Sequence, residues 1–261
     1  MTQAYETIEL AIDPRGLARL VLNRPDKHNA LNAVMIRELT DAAKRLSGDT
    51  RVRAVVLSAR GKSFCAGGDL AWMREQFVAS RSSRIAEATR LAAMLQRLDE
   101  LPKLVIAIIE GAAFGGGVGL VSVCDIVLAS PTSKFALTET RLGLIPAIIA
   151  PFLIRRVGPG NARRLALNAN PFGAGEARAI GLVSEIHESD KLNEAVERQI
   201  ELALACAPGA IAETKQLLRG VATGSVSQPA TAEALALRWE SEEARRGIES
   251  FLNRTRPPWA P

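Results

Sequence analysis

In the first 140 residues, hydrophobic runs of strand length alternate with stretches whose apolar residues recur every three or four positions. The runs are rich in Val and Ile and are bounded by Gly, Pro or Asp, which is typical of strands. They predict strands at residues 5–12, 17–23, 52–59, 104–111 and 125–130. Strands that alternate with helices favour an α/β core with crossover connections.

The segments between these strands have helical spacing. Asn32 can cap a helix whose apolar side chains share one face, namely Met35, Leu39, Ala42 and Leu46. A second apolar stripe covers residues 84–100. After about residue 140 the strand signals nearly vanish, apart from a short run at 182–186.

The last part of the chain has the pattern of a helical module. Helices are predicted at 190–206, 208–220 and 230–253. The sequence therefore divides into a core over residues 1–200 and a C-terminal helical module over residues 201–261.

Composition narrows the class of protein. Of the 261 residues 48% are hydrophobic, enough for one large domain core. The net charge of +5 suits an anionic ligand such as a nucleotide phosphate. No basic stripe is interleaved with aromatic residues, so nucleic acid is not an expected partner. No metal-ligand spacing and no apolar run of membrane-spanning length occur, so neither a metal nor a membrane is expected.

The cysteines and the N-terminus bear on location. The three cysteines are widely spaced and have no CxxC pairing, which fits reduced thiols. MTQAYETIEL has neither the basic nor the apolar region of a signal peptide. A cytoplasmic location is therefore expected.

Two of the predicted strands lead into glycine turns about fifty residues apart. They are VRAVVLSARGKSFCAGGDL at 52–70 and KLVIAIIEGAAFGGGVGL at 103–120. Glycine lets the backbone approach a ligand closely, and the start of a helix presents free N–H groups. Two such turns can direct two amide donors at one oxygen, which is how many enzymes stabilise an oxyanion.

Other glycine and nucleophile motifs are excluded. A dinucleotide fingerprint counted from Gly115 would need glycine where Leu120 stands. No Walker motif and no GxSxG occur, and the chain has only two histidines, which argues against a Ser-His-Asp hydrolase.

Six motifs in order carry a family resemblance. They are LNRPDKHNALN, SFCAGGDL, GAAFGGGVGLVSVCDIVLAS, FALTETRLGLIP, EARAIGLVSEI and GIESFLNRTRPPW. Together they resemble the crotonase (enoyl-CoA hydratase/isomerase) superfamily. The resemblance implies an α/β spiral of repeated ββα units, followed by C-terminal helices that form a homotrimer, often as a dimer of trimers. It also implies an acyl-CoA thioester substrate and no separate cofactor, because coenzyme A is part of the substrate.

The resemblance assigns roles by position. The oxyanion-hole amides fall on Gly68 and Gly116, and the catalytic carboxylate falls on Glu139. Hydratases of the family usually carry a first glutamate where this chain has Gly119, and this gap is expected to leave room for a bulkier or branched acyl group. The CoA-contacting positions are Lys27, Ala30, Leu31, Ala66 and Asp69, with Phe251 and Arg254 closing over the nucleotide from a neighbouring subunit.

A finer resemblance concerns the acyl group. CAGGDLAWMR and RLGLIPAIIAPFLIRRVG resemble the methylglutaconyl-CoA hydratases of leucine breakdown and the isohexenylglutaconyl-CoA hydratases. It implies hydration of a branched, acidic 2-enoyl-CoA, with Trp72 in the acyl pocket and Arg141 or Arg74 on the distal carboxylate. Two alternatives stay open: a Δ3,Δ2-enoyl-CoA isomerase that uses Glu139 alone and, more remotely, an RNA-binding or scaffold protein.

Overall fold

A computed structural model describes residues 5–260 of the chain. Its strands are β1 (Ile8–Ile12), β2 (Leu17–Leu22), β3 (Ala54–Ala59), β4 (Ser63–Cys65), β5 (Leu104–Ile109), β6 (Ala112–Phe114), β7 (Ile126–Ala129), β8 (Lys134–Ala136), β9 (Phe172–Gly173) and β10 (Glu185–Ile186). Its helices are α1 (Ala33–Gly48), α2 (Leu70–Val78), α3 (Arg81–Asp99), α4 (Gly116–Ser122), α5 (Ala150–Asn168), α6 (Ala174–Ala179), α7 (Ser189–Ala205), α8 (Pro208–Ala222), α9 (Gln228–Trp239) and α10 (Glu242–Leu252). Short 3-10 turns cover Pro25–Lys27 and Glu139–Leu142.

The strands form two sheets. The first has the order β1-β2-β3-β5-β7-β10, parallel except where β1 meets β2. The second has the order β4-β6-β8-β9, parallel except where β8 meets β9. Three successive pairs, β3 with β4, β5 with β6 and β7 with β8, each give one strand to each sheet. A helix or helical turn follows each pair, so the chain forms the expected α/β spiral of ββα units.

The central strands β3, β5 and β7 of the first sheet are buried on both faces, which explains their continuous hydrophobic runs. Successive side chains of a strand point to opposite faces. In β3, Val55 and Leu57 pack with α1 and α3, whereas Ala54 and Val56 pack against α7. The first of these clusters also contains Phe64, Ala113 and Phe135 of the smaller sheet and so holds the two sheets together.

Several predicted elements are confirmed. The five early strands lie within the predicted ranges. Asn32 caps α1 by accepting a hydrogen bond from Met35 N–H at 2.9 Å, and all four apolar residues of its predicted stripe are buried. In α3 only the C-terminal half is buried, and Ile85 at its start is half exposed.

The C-terminal part departs from the prediction in two ways. The boundary predicted at residue 200 lies inside α7, which packs on the first sheet. The helices α7 and α8 are separated instead at Cys206 and Ala207. The single helix predicted over 230–253 is wrong: α9 ends at Trp239, and Ser241 begins α10 by accepting a hydrogen bond from Ala244 N–H.

Two features that bear on function are absent from the described residues. None of their helices is both long and apolar enough to cross a membrane. Within residues 5–260 no group of three or more His, Cys, Asp or Glu side chains is arranged to hold a metal ion.

Candidate active site

Three neighbouring strand ends of the second sheet meet at the site. Because β4, β6 and β8 are adjacent and parallel, their carboxyl ends lie at one edge, where open α/β sheets commonly bind ligands. Gly68 follows β4, Gly116 follows β6, and Glu139 follows β8. All three line one cavity.

The Gly68 amide is held through the peptide bond that precedes it. Leu31 N–H donates to the Gly67 carbonyl oxygen at 2.7 Å, and Asp69 N–H donates to the Leu31 carbonyl oxygen at 2.9 Å. In a planar trans peptide the N–H points opposite to the C=O, so the Gly68 N–H is directed away from Leu31. The Gly68 N–H donates to no described residue and is available to a ligand.

The Gly116 amide is fixed in a similar way. The Gly115 carbonyl oxygen accepts a hydrogen bond from Gly119 N–H at 3.2 Å, and Gly115 N–H donates to the Ala136 carbonyl oxygen at 2.8 Å. Gly115 has φ +47° and ψ −114°, a conformation available essentially to glycine alone. As the first residue of α4, Gly116 has no intrahelical acceptor for its N–H.

Glu139 lies against the second glycine turn. Its Oε1 is 3.1 Å from the position that a Gly115 Cβ would occupy. Its Oε2 is buried and has no hydrogen-bond partner among the described residues. Burial raises the pKa of this carboxyl above its usual value, although the residue's own backbone N–H acts in the opposite direction. A carboxyl whose pKa is raised in this way holds a proton more readily than an exposed one, which suits a group that accepts a proton and returns it.

The cavity that contains these groups has a volume of about 290 Å³. Most of its lining is aliphatic or aromatic, and Glu139 is its only charged member among the described residues. The apolar side chains are Leu31, Ala66, Leu70, Trp72, Met73, Leu91, Leu142, Leu144, Ile145, Pro146, Ala147, Ile148 and Ile149. We call it the acyl cavity below, for the group that it could hold.

A second, more polar cleft of about 800 Å³ adjoins the acyl cavity. Ala66, Gly68, Leu70 and Trp72 line both. Of the predicted CoA positions, four line this cleft, namely Lys27, Ala30, Ala66 and Asp69. Leu31 lines the acyl cavity instead.

The Asp69 carboxylate is engaged within the protein. Its Oδ1 accepts from the N–H groups of Ala71 and Trp72 and so caps α2, and its Oδ2 accepts from Arg24 at 2.9 Å. Burial raises the pKa of Asp69, but the Arg24 and backbone hydrogen bonds outweigh it and leave the pKa below the usual value. Asp69 is therefore ionised at neutral pH and acts first as a structural partner.

Four predicted positions line neither of the two cavities. Arg141 is exposed within the 3-10 turn Glu139–Leu142, and Phe251 and Arg254 are exposed at the end of α10, Phe251 by 82%. Gly119 is buried in α4. Arg74 is exposed and lines the polar cleft rather than the acyl cavity.

The space expected at Gly119 is filled by Ile149. A Cβ on Gly119 would lie 2.5 Å from Ile149 Cγ2 and 3.5 Å from Leu95 Cδ1. The absence of a side chain at Gly119 therefore makes room for Ile149, and the expectation that it leaves room for an acyl group is wrong. In the sequence the motif around Ile149 indicates only a family resemblance, and nothing in it indicates contact with Gly119.

We expect Gly119→Ala to lower the free energy of unfolding by about 1–3 kcal/mol through overpacking, although alanine is the better helix former. In an Ile149→Ala background the same change should cost less, because the truncation vacates the space that the new methyl needs. Urea unfolding of the four proteins measures the difference. An equal cost in both backgrounds would contradict the packing of Ile149 against Gly119.

Comparison with known proteins defines the class of protein. The model of the enoyl-CoA hydratase/isomerase family matches residues 13–261. The chain belongs to this family. It is therefore an enzyme of the hydratase/isomerase type, and an acyl-CoA thioester substrate is consistent with its family.

Individual relatives agree over most of the chain. Enoyl-CoA hydratase ACTT6 of Alternaria alternata is 36% identical over 217 residues, covering 82% of this chain and 69% of the relative. An enoyl-CoA hydratase structure from Shewanella pealeana has a TM-score of 0.93 at 35% identity, covering 98% of this chain and 96% of its own. Pseudomonas aeruginosa AtuE has a TM-score of 0.91 at 35% identity, covering 98% of this chain and 100% of its own.

Proposed function

We propose that the protein adds water across the double bond of a 2-enoyl-CoA thioester. One observation carries this proposal: two amides without an acceptor among the described residues, at Gly68 and Gly116, and a buried carboxylate, Glu139, line one apolar cavity. Hydration needs a stabilised thioester oxygen and a group that moves protons, and these three residues can supply both.

The chemistry follows from where charge develops. The thioester oxygen accepts hydrogen bonds from Gly68 N–H and Gly116 N–H, which draws electron density from the β-carbon. Glu139 takes a proton from water as the oxygen of that water bonds to the β-carbon and the π electrons move to the thioester oxygen. Glu139 then returns the proton to the α-carbon. Each amide donor contributes roughly 3 kcal/mol to stabilising the negative oxygen.

The polar cleft is the proposed site of the CoA nucleotide. It adjoins the acyl cavity at Gly68, so a thioester with its oxygen at Gly68 extends into both spaces. Lys27 and Arg74 are exposed cations of the cleft that can meet the CoA phosphates. Coenzyme A is part of the substrate in this proposal.

The acyl group is proposed to be branched and apolar where it is buried. Large aliphatic side chains line the acyl cavity, and its described lining holds no cation to pair with a distal carboxylate. Burial of an unpaired charge is costly, which disfavours an acidic acyl group in this space. Neither Arg74 nor Arg141 lines the acyl cavity, so the expected arginine contact lacks support.

A turnover screen tests the reaction and the acyl class together. Crotonyl-CoA, 3-methylcrotonyl-CoA and 3-methylglutaconyl-CoA are compared by loss of the enoyl absorbance. We expect hydration, with 3-methylcrotonyl-CoA used at least as well as its acidic counterpart. A large preference for 3-methylglutaconyl-CoA would restore the acidic assignment, and no hydration of any 2-enoyl-CoA would overturn the proposal.

A second candidate is Δ3,Δ2-enoyl-CoA isomerisation. It is favoured by a specific observation: within the described lining of the acyl cavity Glu139 is the only titratable side chain, since Ile149 fills the space beside Gly119. One carboxylate can carry a proton from Cγ to Cα. A conjugated product from a 3-enoyl-CoA, without hydration of 2-enoyl-CoA, would select this reaction.

We also propose a homotrimer, alone or as a dimer of trimers, in the cytoplasm. The C-terminal helices leave large apolar side chains exposed, including Leu237 by 61%, Trp239 by 64% and Leu252 by 72%. Contact between subunits would cover such surface. Phe251 and Arg254 would then be free to approach a neighbouring polar cleft, as the resemblance implies.

A further inference from the structure

The Arg24 guanidinium joins two chain segments that border the acyl cavity. Its Nη1 donates to the Ala30 carbonyl oxygen at 2.6 Å, and its Nη2 donates to Asp69 Oδ2 at 2.9 Å. The side chains of this ion pair are only 17% and 10% exposed. The backbone N–H of Arg24 also donates to Asn29 Oδ1 at 2.7 Å, which ties the start of the side chain to the same loop.

These two segments are the ones that orient the Gly68 amide. The peptides on either side of Gly68 are both bonded to Leu31, through the Gly67 carbonyl oxygen and Asp69 N–H. Arg24 binds Ala30, the residue before Leu31, and Asp69, the residue after Gly68. Rotation of the Gly67–Gly68 peptide would strain the hydrogen bonds to Leu31, and through them the contacts of Arg24 with Ala30 and Asp69.

We infer that Arg24 is a positioning residue, which fixes the direction of the Gly68 N–H through Ala30 and Asp69. This inference rests on the proposed function, because it concerns the donor that holds the thioester oxygen. Arg24 does not touch the reacting atoms in this role. A planar fork can hold two acceptors at fixed angles, which lysine cannot do.

A direct role in CoA binding is the competing explanation, since Arg24 also lines the polar cleft. The two roles predict different kinetics. A residue that binds a CoA phosphate affects KM and has no effect on a substrate without the nucleotide. A residue that orients the oxyanion donor lowers kcat for both kinds of substrate.

The kinetic experiment compares Arg24→Lys, Arg24→Gln and the double variant R24Q/D69N with the wild-type protein. Each is assayed with crotonyl-CoA and with the crotonyl thioester of N-acetylcysteamine. We expect kcat to fall about tenfold to a hundredfold for both substrates in the glutamine variants, and less in Arg24→Lys. KM for crotonyl-CoA should stay within about threefold. If Arg24→Gln does not fold, the double variant, which removes both charges, carries the test.

Arg37→Gln, an exposed arginine on α1, is the matched control and should keep the wild-type kcat. A fall in thermal stability with unchanged kcat would make Arg24 structural only and overturn the inference. An effect confined to KM for crotonyl-CoA would assign Arg24 to CoA binding and overturn it as well.

A spectroscopic readout separates this inference from the proposed reaction. The absorbance of a bound cinnamoyl-CoA moves to longer wavelength when donors polarise its thioester oxygen. We expect this shift in the wild-type protein and a smaller shift in the Arg24 variants. A wild-type shift without hydration would count against the reaction alone, and the Arg24 variants would still be judged by the shift. Full shifts in all variants would overturn the inference.

Discussion

Glu139→Gln is expected to lower kcat for hydration by about 10²–10⁴-fold, because the amide can neither take a proton from water nor return one to the α-carbon. Substrate binding should change much less, since glutamine keeps the shape of the side chain. Steady-state kinetics with the best substrate of the screen measure both. Glu110→Gln, at an exposed position, is the control and should keep wild-type activity.

The same variant is expected to change how stability depends on pH. Burial raises the pKa of Glu139 in the folded protein above the unfolded value near 4.5. The stabilisation from this group is therefore complete below that value and is lost as pH rises through the folded pKa. Glu139→Gln lacks this dependence. Urea unfolding below pH 4.5 and at neutral pH should show the wild type losing stability relative to the variant. A constant difference, or near wild-type hydration by the variant, would refute the role of Glu139.

Gly117→Ala should reduce kcat by about 10²-fold and also destabilise the protein. A Cβ on Gly117 would lie 2.4 Å from the Cys65 carbonyl oxygen. This oxygen belongs to the backbone of β4, a strand held within its sheet, so α4 must move instead. Such a movement carries the Gly116 N–H away from the thioester oxygen. Kinetics of the folded variant and its urea unfolding measure the two effects.

Two other glycine variants make this prediction specific. A Cβ on Gly68 would lie 3.5 Å from Met73 Sδ and 3.8 Å from Trp72, which are ordinary contacts, so Gly68→Ala should lose less than about tenfold in kcat. A Cβ on Gly160 would have nothing within 4 Å, so Gly160→Ala should behave as the wild type. A Gly117→Ala protein with wild-type kcat would show that the oxyanion donor does not depend on the packing of α4.

The long strands could be predicted from sequence, whereas the sheet that positions the site could not. Runs such as residues 104–111 are buried on both faces and stand out as apolar. The strands β4, β6, β8 and β9 have only two or three residues each, too few for a period to be visible. The motifs suggested that Gly68, Gly116 and Glu139 act together, and the order of these short strands explains why they meet.

Contacts between segments distant in sequence could not be predicted from the sequence either. Gly119 and Ile149 are thirty positions apart, and only the folded chain shows that one fills the space beside the other. Likewise, the pairing of Arg24 with Asp69 has no signature in either motif. The helix break at Ser241 was missed because the apolar spacing continues across it, although a serine before two glutamates is a common start of a helix.

The donors of the oxyanion hole proposed at Gly68 and Gly116 are peptide N–H groups, so they do not depend on pH. A backbone amide does not titrate in the range where proteins are folded, and every residue except proline carries an N–H at either position. The pH dependence of the rate can therefore arise from Glu139 and from the substrate, but not from the two amide donors. A pH–rate profile of this enzyme should thus show one ionisation of the acyl cavity, and only proline at position 68 or 116 would remove a donor outright.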